Sequence, residues 1–286
     1  IKFIGRINTL PITFKSSKPK SLIYTLKVPS AQVKTSLILC SLACEKESII
    51  SDPFGTRDHT EKFLSYIGYK NKKNHYNRVS IKKFIYTVPG DISNASLIVS
   101  TALLIKGSNV VLKDILYNKT RLGYITILQK MGGNISIKNI RDNCGERICD
   151  IYAQYTENIK GINISSDKIV SMIDELPIFS LVASLAKGKT TVSGAKELRF
   201  KESDRIKSIV SILDNMNVNI IELDDGFTIY GPNKLHNTTI SDFGDHRMAI
   251  ILAIAQLITK RNTNRTNKII NTSFPDFNKT IKAIYG

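Results

Sequence analysis

The sequence predicts an α/β protein built by internal repetition, and three observations carry that prediction. A helix–strand–helix–strands order returns along the chain, the leading helices of the later copies are apolar on almost every side, and hairpin-like strands separate the copies. Residues 30–44 read as the first helix, followed by a charged turn at 45–47 and a short strand at 48–51. Thr56-Arg-Asp-His-Thr60 then opens a second helix, with Phe63, Leu64 and Ile67 on one face and Gly68 as its C-cap.

The same order restarts at Asp91. A helix over 94–105, a turn at Lys106-Gly107 and a strand over 109–112 precede a helix carrying Leu122, Ile125, Leu128 and Met131, which stops at Gly132-Gly133. A third copy starts at Asp174, with a helix over 175–186, a turn at Lys187-Gly188 and a strand over 190–193. Ser203 or Asp204 can cap its second helix, where Ile206, Ile209, Val210 and Leu213 fall at i, i+3, i+4 and i+7. The fourth copy runs from Asp245 through a helix over 248–258 to a closing helix with Phe277, Ile281 and Ile284. Strands over 218–222 and 227–230, joined by Asp224-Asp-Gly226, make a hairpin between copies.

Composition limits the function classes. A chain of 286 residues that is 42% hydrophobic and 23% charged is globular, with one large core or two ordinary ones. No apolar run reaches the roughly 18 residues that cross a bilayer. The start, Ile1-Lys-Phe-Ile-Gly5, matches neither a signal nor a transit peptide and lacks Met, so the reading expects an internal start with a segment upstream. Cys40 and Cys44 lie four apart in a helical pattern, and Cys144 and Cys149 flank a turn-like segment. The chain has no C-x-x-C pair and only four His, so the cysteines read as buried reduced thiols and the compartment as cytoplasmic.

The net charge of +17 admits three explanations: nucleic-acid binding, anionic small-molecule substrates, or a lysine-rich coding bias. The basic residues are scattered, as at Lys70-Asn-Lys-Lys73 and Lys260-Arg-Asn262, with no RNP motif, zinc finger or basic helix. Each leading helix begins with a polar cluster: Ser30-Ala-Gln32, Asp91-Ile-Ser93, Asp174-Glu175 and Asp245-His-Arg247. Helix N-termini carry free N–H groups and partial positive charge, so parallel helices would gather these clusters into one end suited to anions. Arg199-Phe-Lys-Glu-Ser-Asp-Arg205 adds three cations and two carboxylates, with Lys201 and Arg205 one helical turn apart if the helix includes both. A solvated, self-paired charged helix start is the competing reading of that segment. For Asp174, Glu175 and Ser30 it is simple N-capping. Gly244-Asp-His-Arg-Met-Ala249 is less easily explained so, because it sets ionisable groups directly against an apolar helix.

Lys201-Glu-Ser-Asp-Arg205, Gly244-Asp-His-Arg-Met-Ala249, Ser30-Ala-Gln-Val-Lys34 and Pro89-Gly-Asp-Ile-Ser93 closely resemble the signatures of the 5-enolpyruvylshikimate-3-phosphate synthase family, in the family's order and spacing. The resemblance covers nearly the whole chain. It implies the enolpyruvyl-transferase fold, with two domains of repeated βαβαββ units around buried parallel helices. It expects residues 1–88 to be the later part of the shikimate-phosphate domain and 89–286 to be the second domain, with the crossover near Val88-Pro89. About the first third of the family's usual length has no counterpart here. That portion includes a substrate-binding Lys-Ser…Arg segment, a glycine-containing loop and a further Arg. Ala31 stands where some members have a second Ser, and Glu197 where some have Asn.

The chemistry implied is transfer of an enolpyruvyl group from phosphoenolpyruvate to the 5-hydroxyl of shikimate-3-phosphate, in the shikimate pathway. It needs a base, a group that exchanges a proton at carbon, and cations for two phosphates and a carboxylate. By the resemblance, Asp174 is the base, Glu202 the proton-exchanging group and Lys201 a cation on the shikimate side. Ser30, Gln32, Arg57, Asp174 and Lys201 bind shikimate-3-phosphate, and Arg205, Arg247 and Gln32 bind phosphoenolpyruvate, joined by Lys268 through a looser match. Asp245 and His246 are expected to orient Arg247. No metal or organic cofactor is implied, and family members act as monomers. Two alternatives stay open: a UDP-N-acetylglucosamine enolpyruvyl transferase of the same fold, against which the two specific motifs argue, and a basic nucleic-acid-binding α/β protein. The resemblance also expects the isolated chain to turn over poorly.

Overall fold

The computed structural model describes residues 2–4, 12–15, 17–70, 72–259 and 268–285. Ile1, Gly5 and the basic segment Lys260-Arg-Asn262 lie outside the described residues. Two compact units result, Ile1–Tyr86 and Thr87–Gly286.

In the first unit, β1 (Lys2–Ile4) pairs antiparallel with β2 (Thr13–Lys15). A second sheet has β3 (Ile23–Thr25) parallel to β4 (Ser48–Ser51), which pairs antiparallel with β5 (His75–Tyr76). Helix α1 (Ala31–Ser41) starts at Ser30, whose Oγ accepts the Val33 N–H, and α2 is His59–Tyr66. Ile38, Ile50, Leu64 and Tyr76 form the core. Unlike the apolar helices of the second unit, α1 buries only Lys34, Ile38 and Ser41, while Val33 and Leu39 stay exposed.

In the second unit α3 (Ile92–Leu104) is capped by Asp91, whose carboxylate accepts the N–H groups of Ser93 and Asn94. Strand β6 (Asn109–Leu116), α4 (Gly123–Lys130), β7 (Ile135–Asn143) and β8 (Glu146–Gln154) follow, the strands pairing antiparallel in the order β6-β8-β7. Here the turn-like segment expected between Cys144 and Cys149 shrinks to Cys144-Gly145. Both residues have positive φ, at 50° and 81°, as a two-residue hairpin of right-twisted strands demands. Cysteine is not a residue that signals such a turn. Cys149 lies buried inside β8, whereas Cys40 is exposed and Cys144 half-buried, so only Cys44 and Cys149 are the buried thiols expected.

Strand β9 (Asn163–Ile164) and the short α5 (Ser166–Ile169) lead through a 3-10 turn, Ile173–Glu175, into α6 (Leu176–Leu185). Then come β10 (Gly188–Val192), α7 (Arg205–Asn215), β11 (Asn219–Leu223) and β12 (Gly226–Gly231). Their sheet order is β11-β12-β10-β9, with β9 and β10 parallel and the rest antiparallel. Gly226 pairs with Leu223 as the first residue of β12 rather than serving in the turn. A Cβ there would meet the Val192 carbonyl oxygen at 1.9 Å, so the close approach requires glycine. Helices α8 (His246–Ile258) and α9 (Phe277–Tyr285) finish the unit, with a 3-10 turn at Lys268–Thr272 between them.

The apolar helices α3, α6 and α8 pack on one another in the centre of this unit. A helix that is apolar all round must be enclosed, and α6 buries every residue from Leu176 to Ser184. Most of their hydroxyls are satisfied within the helix. Ser96, Thr101, Ser180 and Ser184 donate to carbonyls three or four residues back, and Ser100 shares a 2.6 Å hydrogen bond with Tyr124.

Candidate functional site

In the second unit the starts of α3, α6, α7 and α8 meet at one end, as the side-chain contacts below require. Arg205, the first residue of α7, is the hub, and its side chain is only 2% exposed. Its Nε donates to Asp245 Oδ2 at 2.8 Å, its Nη2 to Glu202 Oε2 at 2.5 Å, and its Nη1 lies 3.8 Å from Asp174 Oδ1. Three carboxylates therefore surround one guanidinium, each from a different stretch of sequence.

Asp245 has two tasks. As N-cap of α8 its Oδ1 accepts the Arg247 N–H at 2.9 Å, and its Oδ2 accepts from Ser203 Oγ as well as Arg205. Burial pushes this carboxyl up, but the hydrogen bond and charge of Arg205 outweigh it and hold Asp245 below the ordinary carboxylate value. The expectation that Asp245 orients the Arg247 side chain is thus corrected. It touches Arg247 only at the backbone, and the side chain it positions is Arg205. His246 Nδ1 lies 3.9 Å from Asp245 Oδ1, and burial followed by the nearby Arg247 charge lowers its pKa, so the imidazole is neutral at pH 7.

The segment before α7 differs from the sequence expectation. Asp204 caps the helix by accepting the Lys207 N–H, so Lys201 is outside it, in extended conformation after a 3-10 turn. Lys201 and Arg205 are therefore not one helical turn apart. Lys201 Nζ donates instead to Glu197 Oε1 at 2.6 Å, and Arg199 is spent on Asp204 and Glu222. Glu202, about half exposed, is left as the carboxylate that closes over Arg205 from the solvent side. Lys268 is exposed at the start of its 3-10 turn. The end of that segment reaches α3, where Asn94 Nδ2 donates to the Ser273 carbonyl, yet no ion pair joins Lys268 to the Arg205 cluster among the described residues.

In the first unit Ser30, Gln32 and Arg57 are placed by α1 and the loop before α2. Gln32 is exposed on the first turn of α1, and Ser30 and Arg57 are half-buried. The link between loop and helix is Lys34, which the sequence reading quoted only as part of a motif. Its ammonium is 4% exposed and pairs with Asp52 at 3.1 Å and Glu61 at 2.8 Å. Asp52 also accepts from the Thr56 N–H and Oγ1, and Thr35 and Thr60 hydroxyls meet at 2.7 Å. Lys34→Met should therefore unfasten the loop that carries Arg57. We expect a loss of about 3 kcal/mol in urea unfolding, at the low end for a buried pair broken on one side because Glu61 keeps solvent contact. An unchanged midpoint would show that the pair contributes nothing.

Arg121, and the contact it makes with two of the polar helix starts, escaped the sequence reading. Ser93 Oγ stands between Arg121 Nη2, which donates to it at 2.7 Å, and Glu175 Oε1, which accepts from it at 2.5 Å. Arg121 is a single basic residue ahead of a helix, with no local pattern to mark it. No cluster of three or more His, Cys, Asp or Glu suited to a metal occurs among the described residues, nor does a helix long and apolar enough to cross a membrane.

The fold and the sequence are those of a known family. The family model described as EPSP synthase (3-phosphoshikimate 1-carboxyvinyltransferase) matches residues 1–281. Among curated relatives, the 3-phosphoshikimate 1-carboxyvinyltransferase of Thermodesulfovibrio yellowstonii is 38% identical over 282 residues, covering 96% of this chain and 65% of the relative. That of Carboxydothermus hydrogenoformans is 39% identical, with the same two coverages. The chain thus spans about 65% of the length of these relatives. A solved EPSP synthase from Acinetobacter baumannii superposes with a TM-score of 0.82 at 33% identity, over 93% of this chain and 63% of that one. The enolpyruvyl transferase NikO from Streptomyces tendae, at 12% identity and a TM-score of 0.64, shares the fold. With its repeated α/β units, its buried helices and a match running from residue 1 to residue 281, the chain belongs to the EPSP synthase family.

Proposed function

We propose that this chain is part of a 3-phosphoshikimate 1-carboxyvinyltransferase, which moves the enolpyruvyl group of phosphoenolpyruvate onto the 5-hydroxyl of shikimate-3-phosphate and releases phosphate. The observation that supports it most is the gathering of Asp174, Glu202 and Asp245 around Arg205 at the common end of α6, α7 and α8. A carboxylate 20% exposed, a second one about half exposed, and buried guanidinium charge are the groups that acid–base chemistry on an anionic substrate needs.

In the proposed reaction Asp174 accepts the 5-hydroxyl proton as that oxygen bonds to C2 of phosphoenolpyruvate. Glu202 delivers a proton to C3. The C2–O bond to phosphate then breaks, phosphate leaves, and C3 returns its proton to Glu202. Arg205 and Arg247 hold the phosphoenolpyruvate carboxylate, with Gln32 and Lys268 as further contacts. Because Glu202 occupies Nη2 of Arg205 at 2.5 Å, it must swing off that nitrogen before a substrate carboxylate takes its place, which frees the acid for C3. Ser30, Gln32, Arg57 and Lys201 bind shikimate-3-phosphate. Residues 1–88 act as the later part of the shikimate-phosphate domain, and 89–286 as the domain carrying the main catalytic groups. The reading requires no cofactor and takes the complete protein to be a cytoplasmic monomer.

The 286 residues by themselves are expected to turn over poorly, consistent with their spanning about 65% of the relatives' length. The test is phosphate release from shikimate-3-phosphate and phosphoenolpyruvate, by the chain alone and with the N-terminal third of a relative added. Activity on complementation supports the reading. Inhibition by UDP-N-acetylglucosamine but not by shikimate-3-phosphate would replace it with the nucleotide-sugar enzyme.

A further inference from the structure

Two adjacent carboxylates at the start of α6 have different partners. Asp174 lies 3.8 Å from Arg205 Nη1, whereas Glu175, only 1% exposed, belongs to a second buried group. Glu175 Oε1 accepts the Ser93 hydroxyl at 2.5 Å, and that hydroxyl accepts from Arg121 Nη2 at 2.7 Å. Ser93 comes from the first turn of α3, and Arg121 from the connection between β6 and α4, so three separate stretches of chain meet here.

The ordinary task of Glu175, the residue just before α6, would be to cap that helix, yet its side chain makes no cap hydrogen bond. The 3-10 turn Ile173–Glu175 has no side-chain cap either, and the Glu175 N–H closes it on the Met172 carbonyl at 2.9 Å. Each contact of the buried group has a fixed direction. A guanidinium only donates, so the single Ser93 proton is turned toward the carboxylate. We propose that Arg121, acting through Ser93 and Glu175, is the positioning residue for Asp174: the relay fixes the turn and with it the carboxylate that the function proposed above makes the general base.

The electrostatics agree with that division of labour. Burial pushes the Glu175 carboxyl up, and the Arg121 charge is foremost among the influences that oppose it. Arg121 Nη2 is 3.8 Å from Glu175 Oε1, beyond hydrogen-bond reach, so the guanidinium supplies charge while Ser93 supplies the contact that sets the distance. A buried pair with a merely structural role would act on the whole unit rather than on one turn.

The relay can be tested with and without turnover. In amide exchange, Ser93→Ala, which keeps both charges, should release the Glu175 N–H at least about 10-fold faster than in the parent, with Leu181 in the interior of α6 unchanged. Equal acceleration at both amides, or none at either, overturns the relay. Under complementation, Arg121→Met and Ser93→Ala should each lower kcat by up to about 10²-fold, the scale of a base displaced by about 1 Å. The KM for phosphoenolpyruvate should stay as in the parent, because the base does not hold that substrate. Arg121→Lys, which keeps the charge and a donor, should recover part of the loss. In an Asp174→Asn background neither change should lower kcat further, since no base is left to position. A full further loss in that background overturns the proposal. Ser93→Ala carries the test should Arg121→Met, which deprives buried Glu175 of its cation, fail to fold. An inactive parent under complementation would sink the functional reading, while the exchange measurement still decides whether the relay holds the turn.

Discussion

Asp174→Ala is expected to lower complemented phosphate release by about 10²–10⁴-fold, the usual contribution of a positioned general base. Asp174 sits in the 3-10 turn that feeds α6, and the adjacent carboxylate, Glu175, is 1% exposed and held by Ser93, so it is not placed to take over the role. The Asp174 side chain keeps 20% exposure, enough to meet a substrate hydroxyl, while Arg205 at 3.8 Å holds one oxygen in place. Asp174→Asn keeps the size of the side chain and should be as inactive, because an amide cannot take the proton. Melting should change little in either variant, since Arg205 retains Asp245 and Glu202. Activity within about 10-fold of the parent would remove Asp174 from the role of base.

Arg205→Met should destabilise the fold by about 3–5 kcal/mol, the cost of leaving a buried charge without its partner. Asp245 is fully enclosed, and its Oδ2 relies on Arg205 Nε and Ser203 Oγ. Methionine fills much of the space and returns none of the charge. The double change Arg205→Met with Asp245→Asn should recover a large part of the loss, because asparagine still caps α8 but carries no charge. The pH dependence follows from the depressed Asp245 carboxyl. Such a group adds stability that is present above its unfolded pKa and is lost as pH falls through its lower folded value. The gap between parent and Arg205→Met should therefore narrow in acid. Equal urea midpoints for parent and Arg205→Met at pH 7 would refute the account.

The repeat was readable because its signals are local. Caps such as Asp91, Asp204 and Asp245 act on N–H groups two or three residues away, and the spacing of Ile206, Ile209 and Leu213 is set by the pitch of one helix. The hairpin turn at Cys144-Gly145 was harder to read, since a cysteine at φ 50° answers to the twist of the paired strands rather than to its own preference. Lys201 shows the limit of spacing arguments. Four positions imply a shared face only on a continuous helix, and α7 begins at Arg205.

The sequence by itself determined the element types, the buried character of α3, α6 and α8, and the polar residues at their starts. Those follow from periodicity, side-chain volume and capping, which reach a few residues along the chain. Only the tertiary structure decided that Asp245 serves Arg205 rather than the Arg247 side chain, that Lys34 ties the Arg57 loop to α1, and that Ser93, Arg121 and Glu175 share one buried network. Partners such as Arg205 and Asp245, 40 positions apart, or Ser93 and Glu175, 82 apart, are chosen by which helix ends the packing brings together and by the cost of burying an unmatched charge there.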